Sequence, residues 1–340
     1  MSKKLELELV MSSIDLKEHI ICLRPESDFI EFDAVAPARF SVEYLKPDDF
    51  SLARYAEQTR ALIIPAVGPK IPNEIFKNSN IEMVQVTGAG IDRLDPEYCR
   101  FNKIAVCNVQ GVSAFAVAEY CIASAITLSR QLHLGNSAIK EGKYASIRLK
   151  MLEKKMVSLA GQNVGIIGFG SIGRETARLF KMMGCEISCF DLFPPDQKET
   201  EKVGATICDL SSLLSQSDIV SLHVPLTTET KGLISKSELK LMKKNAILIN
   251  AARGGVVNEF DLASAIESEQ IKGAVVDVYS REPASSDNPL LNISKAAMDR
   301  VLYSPHIAGI TKQSWTELFR QSWSNLSLFF DNKPLNNRQI

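Results

Sequence analysis

The order of apolar runs and helical patterns predicts an α/β protein built from two doubly wound parallel sheets in series. Three observations carry that expectation. The apolar runs are short and continuous, without the polar alternation of a strand that faces water, as expected where helices cover both faces of a sheet. Helical patterns separate the runs. A long apolar helix then interrupts the series, and the alternation begins again at Asn163.

In the first part of the chain, Ile20-Ile21-Cys22-Leu23, Ala61-Leu62-Ile63-Ile64, Ile81-Glu82-Met83-Val84-Gln85-Val86 and Ile104-Ala105-Val106-Cys107 read as buried strands, with helices at 49–57 and 72–77. Gly88-Ala89-Gly90 follows the third run, where a parallel sheet carries its ligand-binding loops. Residues 114–131 are rich in Ala, Ile and Leu and read as a long, mostly buried helix. Residues 140–158 are charged and helical, with Tyr144, Ile147, Leu149, Met151, Leu152 and Met156 interspersed. That segment reads either as an arm that packs on a second copy, giving a homodimer, or as a solvated surface helix. Val164-Gly165-Ile166-Ile167 opens the second sheet, and a helix over 172–182 and a strand over 186–190 follow. Strands at 219–222, 246–249 and 274–276 continue it, and residues 311–330 form a closing amphipathic helix. Periodicity alone leaves open which sheet that last helix covers.

At 340 residues the chain is long for one domain and comfortable for two. A formal net charge of -1 offers no basic field for nucleic acid or an anionic membrane. No apolar run approaches the roughly 20 residues of a bilayer helix, and the charged N-terminus lacks a secretory core. Seven cysteines, odd in number and without metal-ligand spacing, fit a reducing, cytoplasmic setting, and no metal is expected.

Gly168-Phe169-Gly170-Ser171-Ile172-Gly173 stands between a strand and a helix, and Asp191 closes the next strand. Gly168 permits the tight turn, Gly170 lets the backbone approach a pyrophosphate, and Gly173 lets the helix pack closely. The amides of Ser171 and Ile172 then meet phosphates at the positive end of the helix. Asp191 can accept from both ribose hydroxyls and would repel a 2′-phosphate. Leu192 and Phe193 bring no cation to welcome one, so NAD is expected rather than NADP.

Farther along stand Arg253, Glu282 and His306. Reducing a 2-oxo acid needs a group to hold the carboxylate, an acid to protonate the carbonyl oxygen, and a partner to tune that acid. Arg253, just past a strand and before Gly254 and Gly255, has the planar fork for the first task. His306 titrates near neutrality, and a carboxylate such as Glu282 bonded to it would favour the protonated ring. His223 ends a strand before Val224-Pro225 and is expected to line or support the cofactor crevice. His19 and His133 have no partner motif.

With these motifs in place, the chain resembles the D-isomer-specific 2-hydroxyacid dehydrogenase family, which includes D-lactate, D-glycerate/hydroxypyruvate and 3-phosphoglycerate dehydrogenases. The resemblance runs from about residue 60 onward. It rests on Gly88-Ala89-Gly90-Ile91-Asp92, Ala116-Val117-Ala118-Glu119, the glycine fingerprint, Ala252-Arg253-Gly254-Gly255, Asp277-Val278, Glu282-Pro283 and Pro305-His306. It implies a Rossmann NAD domain at 113–309 and a flavodoxin-like substrate domain at 1–112 and 310–340, with a cleft between them. It makes His306 the acid/base, Glu282 its partner and Arg253 the substrate-binding arginine. It assigns Asp277 to the nicotinamide carboxamide and the amides around Ala89 and Gly90 to the substrate carboxylate. Val224, Pro225, Ala251, Ala252, His306 and Gly309 complete the expected cofactor contacts, and a homodimer is implied. The substrate pocket is expected near Ala66-Val67-Gly68, Tyr144 and Trp315.

The chain departs from its relatives in places. Ser171 stands where many carry Arg, Tyr144 where several carry Trp, and the 282–306 segment is longer than in some. No regulatory domain is expected beyond Ile340. The leading expectation is an NAD-dependent oxidoreductase interconverting a small 2-oxo acid and its D-2-hydroxy acid. Formate enzymes resembling this family carry glutamine in place of the glutamate, so Glu282 argues against formate; phosphite stays open on the triad alone. The alternative from another class is an NAD-sensing corepressor-like binding protein. Such proteins keep the same three residues, but this chain lacks their long disordered tail.

Overall fold

The computed structural model describes residues 17–154 and 156–340. They divide into two compact units, one ending at Val112 and resuming over Thr311–Ile340, the other spanning Ser113–Ile310. Both are doubly wound parallel α/β units. Among the described residues no helix is long and apolar enough to cross a membrane.

The first unit holds strands β1 (Glu18–Cys22), β2 (Phe40–Tyr44), β3 (Ala61–Pro65), β4 (Met83–Thr87) and β5 (Ala105–Cys107). They pair in parallel in the order β2-β1-β3-β4-β5, the flavodoxin-like order. Side chains alternate between its faces. Leu62, Ile64, Val84 and Val86 enter one core with Leu52, Phe76 and Leu94. Ile20, Ile63 and Met83 enter the other with Phe29, Phe319, Trp323 and Leu326. The Lys312–Phe330 helix therefore covers the first sheet. Thr311 caps it by accepting from the Ser314 amide at 3.1 Å.

That helix is fastened by polar bonds as well as by its apolar face. Trp323 is 3% exposed, lies tilted 5.0 Å from Phe29, stacks 6.0 Å from Phe40, and donates its Nε1 to Ala34 O at 2.8 Å. Asn325 donates to Gln85 Oε1 on β4 at 2.8 Å, so neither buried amide is left without a partner.

The second unit holds β6 (Asn163–Ile167), β7 (Glu186–Phe190), β8 (Ala205–Ile207), β9 (Ile219–Leu222), β10 (Ile247–Asn250), β11 (Gly273–Val276) and β12 (Val301–Tyr303). Its parallel order is β12-β11-β10-β9-β6-β7-β8. This is the dinucleotide-binding order with one further strand, and its direction reverses between β6 and β9. Val164, Ile166, Ile249 and Val275 pack on one face with the Ala114–Arg130 and Ser171–Met182 helices. Ile167, Val220, Leu248 and Val276 pack on the other with Leu213, Leu239 and Leu262.

Four elements differ from the sequence reading. β2 and β8 are strands that the apolar-run criterion missed. The helix expected over 140–158 is shorter, Tyr144–Glu153, and Gly142, φ +72°, separates it from a preceding helix, Leu132–Lys140; neither has a buried residue. Residues 72–77 carry only a 3-10 turn, Asn73–Phe76.

Trp323→Ala removes a large buried ring and one hydrogen bond, and should destabilise the first unit by about 3–5 kcal/mol. Trp315, the remaining tryptophan, reports that transition by fluorescence in urea. A loss below about 1 kcal/mol would show that the closing helix does not depend on this anchor.

Candidate active site

The chemistry-bearing residues of the second unit stand in the loops that leave the carboxyl ends of β6, β7, β9, β10, β11 and β12. The turn after β6 is shaped by its glycines. Gly168 has φ +92°, and a β-carbon there would meet the His223 carbonyl at 2.7 Å. Gly168 thus lets the loops after β6 and β9 touch at the point where strand order reverses. A β-carbon on Gly173 would strike Gly168 O, so helix and turn pack without a side chain between them. Beside Gly170, by contrast, nothing lies within 4 Å of a β-carbon position.

Gly170 is the N-cap of the Ser171–Met182 helix and provides no side-chain acceptor. The first-turn amides at Ser171 and Ile172 are therefore left to an outside acceptor, the arrangement that binds a phosphate. Asp191, just beyond β7, accepts from the Phe169 amide at 2.6 Å and the Phe193 amide at 3.2 Å. That pins the carboxylate beside the glycine turn. An open approach at Gly170, uncapped amides and a fixed carboxylate together fit a dinucleotide.

Val224 and Pro225 follow β9, and Ala251 and Ala252 follow β10. His223 Nε2 bonds Ser221 Oγ at 2.9 Å, and its Nδ1 is buried without a partner. Burial pushes His223 down to about 3, so it is neutral and supports the crevice rather than exchanging protons. Gly309 packs against Ser113 at the start of the Ala114–Arg130 helix.

Arg253, Glu282 and His306 come together in this unit. His306 Nδ1 and Glu282 Oε2 are 2.8 Å apart. Glu282 Oε1 accepts from the Tyr279 amide at 3.1 Å. A β-carbon on Gly254 would strike Tyr279 O, so the Arg253 loop lies directly on the loop that leads to Glu282. Burial raises the Glu282 pKa, but the His306 hydrogen bond and charge, the Tyr279 amide and the Arg253 charge outweigh it. The carboxyl is held below its ordinary value and is ionised at neutral pH. With Nδ1 committed to Glu282, Nε2 is the nitrogen left to exchange a proton.

His306 itself has φ +56°, in the left-handed region that a β-carbon disfavours by about 1–3 kcal/mol. Asp277 holds it there. The fully buried Asp277 accepts from Ser304 Oγ at 2.5 Å and the Ile307 amide at 2.9 Å on one oxygen, and from the Ala308 amide at 2.9 Å on the other. Its backbone oxygen takes the His306 amide at 2.7 Å. Tyr120 OH lies 2.5 Å from Ser304 Oγ, whose single hydrogen goes to Asp277, so the phenol donates. Burial pushes Tyr120 up to about 12, which keeps that donor protonated.

Tyr120, Tyr279 and Ser304 were not expected from the sequence. Tyr279 also donates its hydroxyl to Ser304 O at 3.1 Å, closing the network around the histidine loop. Ala89 and Gly90 lie in the other unit, in the turn after β4, where Asn108 donates to Ala89 O at 2.5 Å. His19 lies in β1, and His133 Nε2 meets Asp299 O at 3.0 Å.

A doubly wound sheet with an open phosphate turn, beside a histidine–carboxylate pair and an arginine, defines a nucleotide-dependent oxidoreductase. Comparison with known proteins places it more closely. Residues 122–308 match the profile described as D-isomer specific 2-hydroxyacid dehydrogenase, NAD binding domain. The chain is 34% identical over 246 residues to D-3-phosphoglycerate dehydrogenase of Archaeoglobus fulgidus, covering 72% of this chain and 45% of that protein. It is 31% identical over 258 residues to glycerate dehydrogenase of Methylorubrum extorquens, covering 76% of this chain and 78% of that one. The apo-structure of D-lactate dehydrogenase from Escherichia coli superposes with a TM-score of 0.77 at 22% identity, over 95% of this chain and all of that one. The chain belongs to the D-isomer-specific 2-hydroxyacid dehydrogenase family, and its cofactor is NAD.

Because the folded pKa of Glu282 lies below its ordinary 4.5, its contribution to stability is complete above that pH and is lost as pH falls through the folded value. The melting-temperature gap between wild type and Glu282→Gln should therefore shrink on acidification from pH 7 to below pH 4. A gap that stays constant or widens would contradict the assignment.

Proposed function

We propose that the protein interconverts a small 2-oxo acid and its D-2-hydroxy acid with NAD, using His306 as acid/base, Glu282 as its partner and Arg253 to bind the substrate carboxylate. The observation that carries this reading is the 2.8 Å His306–Glu282 contact within the NAD-binding unit, with Arg253 charged beside it. Glycerate dehydrogenase and hydroxypyruvate reductase among the relatives act on acids of this kind, which supports the reading.

In the reductive direction NADH, held by the turn after β6, would supply the hydride that reduces the carbonyl. His306 Nε2 gives its proton to the carbonyl oxygen, and in the oxidative direction takes one from the hydroxyl. Glu282 stays ionised throughout, fixing the ring and favouring its charged form. The Arg253 guanidinium holds the carboxylate and draws charge toward the adjacent oxygen. We assign the amides of Ala89 and Gly90 to substrate binding, which makes the first unit the substrate domain. Asp277 supports the histidine loop; a bond to the nicotinamide carboxamide would be the fourth on its carboxylate.

NADH oxidation against glyoxylate, pyruvate, hydroxypyruvate, 2-oxoisocaproate and oxaloacetate should show turnover on at least one, faster than with NADPH. His306→Ala should lower kcat by about 100-fold or more while leaving NADH binding intact. Arg253→Ala should act on KM and kcat together. Near-normal turnover by His306→Ala would overturn the mechanism.

We further infer a homodimer joined through residues 132–157, where Leu132, Ile139, Tyr144, Leu149, Leu152 and Val157 are each about half exposed or more. Light scattering at micromolar concentration should give twice the chain mass of 37.5 kDa. A monomer would end this idea.

A further inference from the structure

The second unit has a cavity at the end of its sheet opposite the catalytic loops. It measures about 770 Å³, within the range of small-molecule sites, and is lined only by residues between 128 and 300. Its wall forms where three neighbouring strands begin. Lys244 stands just before β10, Lys272 before β11 and Arg300 before β12. The pairing of Ile247 with Gly273 and of Ala274 with Val301 sets these strand starts side by side. Lys154, after the Tyr144–Glu153 helix, lines the same cavity.

Two of the carboxylates there are already engaged. Asp218 takes Lys243 Nζ at 2.9 Å and the Asn163 amide at 3.0 Å, and Glu269 pairs with Arg300 Nη1 at 2.9 Å. Asp299 also lines the cavity. Among the described residues Lys154, Lys244 and Lys272 are paired with no carboxylate. Burial, and after it the Lys154 charge, lower the Lys272 pKa, and no carboxylate offsets them.

Three polar atoms of the lining residues are buried without a hydrogen-bond partner: Ser129 Oγ, His133 Nδ1 and Arg300 Nε. Ser129 is 2% exposed. His133 Nε2 donates to Asp299 O at 3.0 Å and Arg300 Nη2 to Ile266 O, which holds both side chains against the wall. Buried polar groups are ordinarily paired, so orphans gathered on one cavity call for an outside partner. Ser129 Oγ and Arg300 Nε can donate to an anionic oxygen, and His133 Nδ1 can accept from a hydroxyl of the same molecule.

We propose that this cavity is a second binding site, for a small molecule carrying two or more anionic groups, held by Lys154, Lys244, Lys272 and Arg300. It is separate from the glycine turn and from His306, which stand at the other edge of the same sheet. Lys244, Lys272 and Arg300 lie outside residues 132–157, so the strand-start wall stays in place when a second copy packs on that segment.

The test is calorimetric titration of pyrophosphate and of citrate into the NADH-saturated protein, whose phosphate turn is then already filled, at about 0.15 M salt. Wild type should bind at least one of them at one site per chain, and the tighter of the two tells a phosphate ligand from a carboxylate one. Lys272→Met and Lys244→Met should each weaken that binding by about tenfold or more. Lys77→Met, in the first unit, should leave it unchanged. In both cavity variants kcat and the KM for NADH should stay within about twofold, because neither lysine is at the catalytic edge. Lys244 is exposed, so its variant keeps the test valid even where Lys272→Met perturbs folding. Failure of the NADH-bound wild type to take up either anion overturns the proposal. Binding that both variants keep, or that appears only without NADH, places the anion elsewhere and overturns it as well. A change in scattering mass on Lys272→Met with anion binding intact would assign the cavity to a second copy instead.

Discussion

The Asp277 carboxylate is the constraint on which the site depends. It lies at the end of a buried strand and gathers a hydroxyl and two amides from the loop that follows β12, while its backbone oxygen takes a third amide from the same loop. Those bonds keep His306 in a left-handed backbone conformation that an isolated chain would leave. The imidazole then points its Nδ1 at Glu282, and the ring has one orientation instead of many. A carboxylate with no access to solvent therefore decides where a partly exposed imidazole sits. Tyr120 and Tyr279 extend the same net, so the loop is braced from the long Ala114–Arg130 helix as well as from the sheet.

The two units solve one geometric problem twice. Parallel strands buried on both faces end at a common edge, and the loops leaving that edge are the only backbone free to meet a ligand. In the second unit the reversal between β6 and β9 opens a gap that glycine keeps clear. The helix entering there has no side-chain cap, which leaves amides available to a phosphate. In the first unit Arg93, after β4, donates to Pro69 O at 2.6 Å and Pro65 O at 2.9 Å and so ties the loop after β3 to the turn after β4. One edge spends its polar groups on openness, the other on rigidity.

Much of this was legible in the sequence, for reasons that also explain the gaps. Central strands are apolar on both faces, so Ala61–Pro65 and Ile247–Asn250 stand out as continuous runs. Two of the edge strands do not: of Phe40–Tyr44 only Phe40 is buried, and Ala205–Ile207 is largely exposed. Gly142 lay inside a helical pattern and was not weighted as a break. Arg253, Glu282 and His306 were identifiable by type and place at strand ends, but sequence carries no distances. The Tyr120–Ser304–Asp277 net was invisible because its members are ordinary residues spread over much of the chain.

The hydrogen bond from Trp323 to Ala34 joins residues 289 positions apart, and the whole second unit lies between them. This orders events during synthesis. The stretch from Ser113 to Ile310 has all its strands once it leaves the ribosome and can close its own core, since domains fold as units. The first unit, although begun earlier, waits for residues 312–330 before Phe29 and Ile63 are covered. Its apolar face stays open to solvent and to chaperones for the time taken to translate the rest of the chain. Folding of the second unit then shortens the effective loop and lowers the entropy of that final closure. The part of the chain made first is thus the part completed last.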